Sequence, residues 1–340
     1  MAATMKAARI HKFGDPLIIE EVPTPEPAEG QLQIAIVASG VCHTDLHATA
    51  GEMPGSPSLP FIPGHEIVGR VSKLGAGITS HKEGDTVGLP SLHWSCGECE
   101  YCLSGWESLC HKQLATGYSV DGGFAEFVVA PADFVTSIPE GADPFEIAPI
   151  LCAGVTTYKG LKQTKARKGD WVVISGVGGL GHVAIQYAKE FGFRVVAVDI
   201  ANDKLTLAKS LGAEIVINAK TEDAVARVHS ETGGAHAVLV TAASASAFRA
   251  SVDMLRRGGI CVLNGLPPGD FPLPICELVL AGQTVHGSII GTRQDMDEAV
   301  AMAVRCKFRT TIEIDSLDNI NDVFARLKDG KVVGRVVLEI

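Results

Sequence analysis

The stretch that decides the fold is Val172-Val173-Ile174-Ser175-Gly176-Val177-Gly178-Gly179-Leu180-Gly181. It begins with the continuous apolar run of a buried strand and passes into a G-x-G-x-x-G turn. Glycines at these spacings allow a tight turn and close approach of a pyrophosphate, which the N-terminus of the following helix faces. The pattern predicts a dinucleotide site at the turn residues Gly176, Gly178, Gly179, Leu180 and Gly181.

The sequence around this turn alternates between strand-like and helical patterns. Apolar strand-like runs occupy residues 171–175, 194–199, 214–218, 237–241, 260–264 and 284–289, and amphipathic stretches such as 180–191 and 204–211 lie between most of them. Buried strands joined by crossover helices form parallel sheets that are covered on both faces. The fold class predicted for this half of the chain is therefore α/β, a doubly wound parallel sheet of the Rossmann type.

Asp199 ends the strand that follows the glycine-rich turn, 18 residues beyond Gly181. A carboxylate at this place accepts hydrogen bonds from an adenosine ribose and repels a 2′-phosphate, which favours NAD over NADP. The alternative is a purely structural glycine turn followed by a solvated aspartate. The surrounding β/α series favours the cofactor site, because the motif requires that context.

The first 150 residues have a different character, with short alternating runs such as 31–36 and 126–129 broken by glycine and proline. The change comes near Cys152, and after Gly291 a helix at 296–305 precedes a valine-rich tail. The predicted domains are a β-rich domain at 1–153, an NAD-binding Rossmann domain at 154–290, and a segment at 291–340 that returns to the first domain.

Composition limits the classes of partner. The chain has 340 residues, of which 46% are hydrophobic, and a formal net charge of −10. This length is typical of two domains, and the acidic balance argues against nucleic acid or an anionic membrane as partner. No apolar run reaches the length of a membrane span, and residues 1–9 lack the apolar stretch of a signal peptide. We expect a cytoplasmic protein.

Four of the nine cysteines are clustered, with the spacing C-x2-C-x2-C-x7-C at Cys96, Cys99, Cys102 and Cys110. In a reducing compartment such clusters indicate metal ligation before disulfides. Four thiolates can close a tetrahedral zinc site that holds a loop and leaves no open position. An iron–sulfur cluster is the alternative, since it also takes four thiolates. Nothing else in the chain indicates electron transfer.

Two further motifs carry a resemblance to a known family. They are Gly64-His65-Glu66-x2-Gly69-x5-Gly75-x2-Ile78 and Gly40-Val41-Cys42-His43-Thr44-Asp45-Leu46-His47. With the cysteine cluster and the glycine-rich turn, they resemble the zinc-containing medium-chain alcohol dehydrogenases, most closely the tetrameric bacterial and yeast-type members. The similarity runs over essentially the whole chain. It implies a GroES-like catalytic domain beside the Rossmann domain with the active site in the cleft between them, and a homotetramer.

The resemblance, and not their spacing, joins Cys42, His65 and Cys152 into one site. It implies that these three bind a catalytic zinc, so that each chain holds two zinc ions, one catalytic and one structural. Glu66 would lie near the catalytic ion and ligate it transiently. Asp45 would orient His65, as the partners of metal-bound histidines generally do.

The resemblance also implies the reaction, which is reversible hydride transfer from primary or secondary alcohols to NAD, giving aldehydes or ketones. Thr44 would hydrogen-bond the alcohol, and His47 would take its proton onward to solvent through the cofactor ribose. Four residues would hold the cofactor. His43 and Arg335 would contact the pyrophosphate, and Asp199 and Lys204 would hold the adenosine ribose.

The chain departs from the yeast-type pattern where tryptophans usually line the substrate pocket. It has Ser91 at one such position and Met53 at the other, while Trp94 is offset by three residues from the first. We expect Ser91 and Met53 to leave a wider pocket, because methionine adapts to varied apolar shapes. The alternative is that Trp94 refills the space.

Other functions on the same fold are less well supported by these residues. No feature of the sequence requires activity on polyols or on formaldehyde adducts. A structural or regulatory zinc protein would be favoured by loss of Cys42, His65, Cys152 or Thr44, all of which are present. A zinc-free quinone reductase would need neither these residues nor the cysteine cluster.

Overall fold

The computed structural model describes residues 3–53 and 57–340. Its strands are β1 (Thr4–Arg9), β2 (Ile18–Pro23), β3 (Gln31–Val41), β4 (Glu66–Leu74), β5 (Thr86–Leu89), β6 (Leu92–Trp94), β7 (Leu114–Ala115), β8 (Phe127–Pro131), β9 (Thr136–Ser137), β10 (Trp171–Ser175), β11 (Arg194–Asp199), β12 (Ile215–Asn218), β13 (Ala235–Val240), β14 (Leu255–Leu263), β15 (Thr284–Gly287), β16 (Ile312–Ser316) and β17 (Arg335–Glu339). Its α-helices are α1 (His43–Ala50), α2 (Glu100–Leu103), α3 (Pro144–Ile147), α4 (Ala153–Gln163), α5 (Gly181–Glu190), α6 (Asn202–Leu211), α7 (Ala224–Thr232), α8 (Ala245–Asp253), α9 (Ile275–Ala281), α10 (Arg293–Arg305) and α11 (Ile320–Lys328). The 3₁₀ helices are Glu107–Leu109, Ala132–Phe134, Ala148–Leu151 and Leu317–Asn319.

The second of two compact units spans Ala153–Ile290 and Cys306–Phe308 and contains the predicted parallel sheet. Its six strands lie in the order β12-β11-β10-β13-β14-β15, and every neighbouring pair is parallel. The central strands are buried on both faces, as Val173, Val196 and Val238 show by being fully enclosed. The prediction of an α/β doubly wound fold is confirmed.

Strand β14 starts five residues earlier than the sequence pattern predicts. These five additional residues include Gly258, which has a φ of +72°, and Gly259. A glycine pair of this kind is typical of a turn. Here the glycines instead accommodate an irregularity of the ladder, because the register with β13 shifts between Ala235 and Ala237. The strand therefore begins five residues before the apolar run at 260–264.

The first unit runs to Cys152 and takes up Gly291–Arg305 and Arg309–Ile340. Its main sheet has the order β16-β17-β3-β4-β5-β9, with β8 also paired to β3. Strand β3 is long and apolar enough to hold three neighbours, and β17 from the end of the chain pairs antiparallel with its Ala38–Val41 portion. The last strand of the chain thus lies beside β3, the strand that ends just before Cys42.

Two helices near the end of the chain extend the sequence prediction. Helix α10 begins at Arg293, three residues before the predicted start, because Thr292 and Asp295 cap each other: the Thr292 N–H and hydroxyl donate to the Asp295 carboxylate at 3.0 and 2.8 Å. Helix α11 is not predicted by the sequence reading, and its Ile320 and Val323 pack into the core of the first unit.

Within residues 3–53 and 57–340, no helix combines the length and apolarity needed to cross a membrane.

Candidate active site

The site begins where β3 ends and α1 starts. Cys42 has extended backbone angles and precedes the helix, and its N–H donates to the Asp45 carboxylate at 2.8 Å. Asp45 is almost fully buried. This carboxylate satisfies a backbone donor at the helix start, so it fixes the position of Cys42 as well as its own.

The same carboxylate orients His65. Its second oxygen accepts from the Gly64 N–H at 3.2 Å and from His65 Nδ1 at 2.8 Å. Because an ionised carboxylate can only accept, Nδ1 carries a hydrogen in this contact, which leaves Nε2 as the ring nitrogen that can ligate a metal. Nε2 lies 3.4 Å from the sulfur of Cys152, which follows the 3₁₀ helix Ala148–Leu151.

Buried charge in this cluster moves three pKa values. A hydrogen bond from Cys152 holds the pKa of Cys42 well below its usual value, and the same hydrogen bond, together with burial, holds the pKa of Cys152 well above it. Burial alone would lower the pKa of His65, but the neighbouring Asp45 and Cys42 raise it to about 10. The shifts show that the four groups interact directly at this buried place.

The donors fit zinc in number, type and spacing. Ligand atoms of Cys42, His65, Glu66 and Cys152 all lie within 4.8 Å of one another. Two thiolates and one imidazole that leave a position for substrate are typical of catalytic zinc. With tetrahedral zinc bonds of ordinary length, a nitrogen and a sulfur ligand would be about 3.6 Å apart, close to the separation found between His65 and Cys152.

Glu66 lies beside these ligands and is completely buried. Its carboxylate pairs with the guanidinium of Arg335 at the start of β17, which is also buried. Gly40 on β3 makes room for it, because a Cβ there would lie 2.0 Å from Glu66 Oε2. The predicted pyrophosphate ligand Arg335 is thus the ion-pair partner of Glu66 in this structure.

Helix α1 carries three of the residues predicted to contact substrate or cofactor, which are His43, Thr44 and His47. The Thr44 hydroxyl lies 3.6 Å from the Cys42 sulfur. His43 is exposed, and His47, one turn further on, is partly exposed with its Nδ1 2.6 Å from Glu52 Oε2. The sequence reading missed this Glu52 contact, although a glutamate just after a helix-ending glycine is a visible signal.

The four-cysteine lobe brings its sulfurs together. The Sγ separations are 3.5 Å for Cys99–Cys102, 3.6 Å for Cys96–Cys110 and 3.9 Å for Cys96–Cys102, and all four are free thiols. Sulfurs around a single tetrahedral zinc lie about 3.8 Å apart, whereas the sulfurs that surround a larger iron–sulfur cluster lie farther apart. A backbone hydrogen bond from Glu98 is the main cause that lowers the pKa of Cys96 to about 6. The lobe fits a closed zinc site.

An ion pair between Glu107, which is mostly buried, and Arg293, which is partly exposed, attaches this lobe to helix α10. The Glu107 carboxylate accepts from the Arg293 backbone N–H at 3.0 Å and from its guanidinium at 2.9 and 2.6 Å. The guanidinium also lies over the Phe134 ring at 4.5 Å. Paired planar contacts of this type fix geometry as well as charge. The sequence reading missed the pair, because no local pattern joins residues so far apart in the chain.

The glycine-rich turn has the geometry of a phosphate site. A Cβ on Gly181 would lie 1.9 Å from the Gly176 carbonyl oxygen, whereas the position at Gly178 faces open space. No side chain of the described residues caps the N-terminus of α5, so its N–H groups can meet an anion. Asp199 accepts from the Val177 N–H at 2.6 Å, which fixes its carboxylate beside the turn. Lys204 lies half-buried in α6.

The three residues predicted to line the substrate pocket have these surroundings. Met53 is half-buried and packs against an apolar cluster, and its carbonyl accepts from the Tyr118 hydroxyl at 3.2 Å. The Ser91 carbonyl accepts from the Thr116 N–H at 2.9 Å. Trp94 ends β6 and pairs with Leu114 in β7. Pro54, next to Met53, lies outside the described residues.

Comparison with known proteins finds sequence similarity over nearly the whole chain. Residues 28–140 match the family described as alcohol dehydrogenase GroES-like domain, and residues 179–305 match the zinc-binding dehydrogenase family. An alcohol dehydrogenase of Moraxella sp. (strain TAE123) is 55% identical over 335 residues, which cover 98% of this chain and 99% of that protein.

Two solved structures extend this similarity. The alcohol dehydrogenase of the hyperthermophilic archaeon Aeropyrum pernix superposes with a TM-score of 0.90 at 34% identity, covering 98% of this chain and 100% of the other. The acetophenone reductase of Geotrichum candidum, solved in complex with NAD, has a TM-score of 0.89 at 26% identity, covering 100% and 98%.

Proposed function

The chain belongs to the zinc-containing medium-chain alcohol dehydrogenase family, and from this premise we propose which of its residues perform the reaction. It is a zinc-dependent, NAD-linked enzyme that interconverts alcohols with aldehydes or ketones. The convergence of Cys42, His65 and Cys152 around one point carries the assignment of the catalytic site. The four cysteines of the lobe hold the structural zinc.

The chain's own residues prepare the metal site. Zinc bound there acts as a Lewis acid on the substrate oxygen. Asp45 keeps the His65 ring in one tautomer and one orientation, and tuning partners of this kind typically change metal affinity or activity by about 10- to 100-fold. Glu66, held by Arg335 beside the ligands, is the residue that would take part in ligand exchange.

The cofactor residues position NAD without changing its chemistry. NAD accepts or supplies the hydride. The turn from Gly176 to Gly181 and the uncapped start of α5 receive the pyrophosphate, with the His43 and Arg335 side chains as its partners from the first unit. Asp199 and Lys204 hold the adenosine ribose, and the fixed Asp199 carboxylate disfavours a 2′-phosphate.

Helix α1 supplies the path for the substrate proton. Thr44 is adjacent to Cys42, so its hydroxyl is the group that hydrogen-bonds the alcohol. His47 lies one turn further along and is partly exposed, which suits a group that exchanges protons with solvent. Thr44 takes up the alcohol proton and His47 passes it to solvent in oxidation, and both act in the opposite direction in reduction.

The substrate range is that of a widened pocket, which accepts bulkier primary and secondary alcohols. Ser91 and Met53 support this, since neither has the bulk of the tryptophan that yeast-type members carry there. The similarity to an acetophenone reductase, an enzyme named for an aromatic ketone, also favours it. If Trp94 fills the same space, the pocket is narrow and the preference returns to ethanol.

A series of alcohols with NAD tests this range. We expect kcat/KM for benzyl alcohol and 2-propanol to lie within about tenfold of the ethanol value, because a pocket without the two tryptophans has room for both substrates and an apolar pocket discriminates weakly among apolar groups that fit it. Ser91→Trp should lower the value for benzyl alcohol about tenfold or more and affect ethanol less, whereas the control Ser91→Thr should change neither. A steep ethanol optimum in the unmodified enzyme would contradict the widened pocket.

A homotetramer in the cytoplasm is the assembly we propose. Helix α9 exposes Ile275, Val279 and Leu280 at 80%, 70% and 67% of their surface, next to the edge strand β15. An apolar patch beside an unpaired strand edge is typical of a contact between copies. The nine free cysteines agree with a reducing compartment.

A further inference from the structure

The end of α1 folds back on His47. Gly51 ends the helix with a φ of +74°, a left-handed conformation that glycine adopts without strain. The Glu52 N–H then donates to the His47 carbonyl at 3.0 Å, and the Glu52 carboxylate contacts His47 Nδ1 at 2.6 Å. A Cβ on Gly51 would lie 2.9 Å from the Phe13 ring, so this position has little room for any side chain. Backbone and side chain therefore both tie Glu52 to His47.

This double contact determines which ring nitrogen of His47 can accept a proton. An ionised carboxylate has no proton to donate, so Nδ1 carries the hydrogen in the contact with Glu52. In the neutral ring the lone pair then lies on Nε2. A histidine without such a partner would distribute between both tautomers, and part of its population would have no lone pair on Nε2.

We propose that Glu52 is a positioning residue of the proton path, which holds neutral His47 in the Nδ1–H tautomer and so keeps Nε2 as the accepting atom. The proposal rests on the proposed role of His47. In oxidation, the substrate proton leaves the alcohol oxygen and finally forms a bond to Nε2, and the ring becomes an imidazolium that keeps its Nδ1 contact with Glu52. Loss of the Nε2 proton to water restores the starting tautomer. In reduction the same proton moves in the opposite direction.

The expected effect is moderate because both partners are partly exposed. The side chains of His47 and Glu52 keep 40% and 61% of their surface. A positioned proton-transfer group contributes about 10²- to 10⁴-fold to the rate, and a residue that only orients it contributes less. We expect Glu52→Gln to lower kcat for alcohol oxidation roughly three- to tenfold, and Glu52→Asp to recover part of that loss.

The test is a double-mutant cycle on the zinc-loaded enzyme, with Glu52→Gln, His47→Gln and the double variant. If Glu52 acts through His47, Glu52→Gln lowers kcat in the native background and has no further effect in the His47→Gln background. Glu20→Gln is a matched control, because Glu20 also contacts a surface histidine, His11 Nε2, at 2.9 Å. It should leave kcat unchanged. Thermal unfolding of every variant excludes loss of fold as the cause.

Nitrogen-15 spectra of the histidine rings, with His47 identified by the signal lost in His47→Gln, report the tautomer without catalysis. We expect protonated Nδ1 in the native protein and a shift toward protonated Nε2 in Glu52→Gln. A lower kcat in His47→Gln with an unchanged kcat and tautomer in Glu52→Gln would overturn the role of Glu52 alone. An unchanged kcat in His47→Gln would overturn the proton path and the role of Glu52 with it. Equal losses from Glu52→Gln in both backgrounds would also overturn the proposal.

Discussion

Cys42→Ser is expected to lower kcat/KM for alcohol oxidation by about a thousandfold or more. A Lewis-acid metal contributes several kcal/mol to the stability of the transition state, and each 1.4 kcal/mol or so corresponds to a factor of ten in rate. Serine keeps the size of the side chain but does not supply the thiolate that zinc prefers. Zinc content should fall by one ion per chain, and steady-state kinetics with NAD and metal analysis measure the two effects together.

The exposed Cys276 provides a control for this substitution. Cys276→Ser should retain both zinc ions and full activity. Because Cys42 is buried, thermal unfolding of Cys42→Ser must show that the fold persists. Undiminished activity in a Cys42→Ser protein that has lost one zinc would mean that this cluster is not the catalytic centre.

Cys110→Ser is expected to destabilise the protein while leaving the chemistry intact. Cys110 is buried and is the lobe ligand closest in sequence to the Glu107–Arg293 pair, so loss of zinc would disturb both the loop and its attachment to α10. A loss on the order of 4 kcal/mol would lower the melting temperature by about 10 °C. Zinc content should again fall by one ion per chain.

Activity measured well below the melting temperature separates the two metal sites. In Cys110→Ser, kcat per remaining catalytic zinc should stay within about twofold of the native value, because a closed four-thiolate site has no position for substrate. Ser104→Ala, a substitution in the same lobe away from the ligands, should change neither stability nor zinc content. Loss of activity at unchanged melting temperature would assign a chemical role to the lobe and contradict its structural assignment.

Features that depend on neighbouring residues could be predicted from the sequence. The strand, glycine-rich turn and helix from Trp171 to Glu190 form one contiguous signal, and the structure has them where the pattern predicts them. The four-cysteine spacing likewise indicates a metal site, since the ligands lie within one short loop. The sequence alone left the choice between zinc and an iron–sulfur cluster open, and the sulfur separations favour zinc.

Element boundaries were less accurate where one local signal has two structural outcomes. The Gly258–Gly259 pair is typical of a turn, but in β14 it accommodates a register shift against β13. The start of α10 was missed by three residues, although Thr292 and Asp295 have the spacing of mutually capping side chains. A glycine or a capping residue does not by itself specify whether the strand or helix ends at that residue or continues through it.

Contacts between distant parts of the chain could not be predicted from any pattern. His65 and Cys152 are 87 residues apart, and Glu107 and Arg293 are 186 apart. The ligand set was obtained only through resemblance to a family. The pairing of Arg335 with Glu66 was not foreseen by either route, because it depends on β17 returning to β3 and bringing Arg335 beside a buried carboxylate.

The most direct test of this account is metal content measured together with NAD-dependent alcohol oxidation, before and after chelation. The two clusters predict about two zinc ions per chain, alcohol-dependent formation of NADH, loss of that activity when the catalytic ion is removed, and its return when zinc is added back. One zinc per chain, with no NADH formed from ethanol, 2-propanol or benzyl alcohol, would contradict the account, because only the lobe would then hold metal.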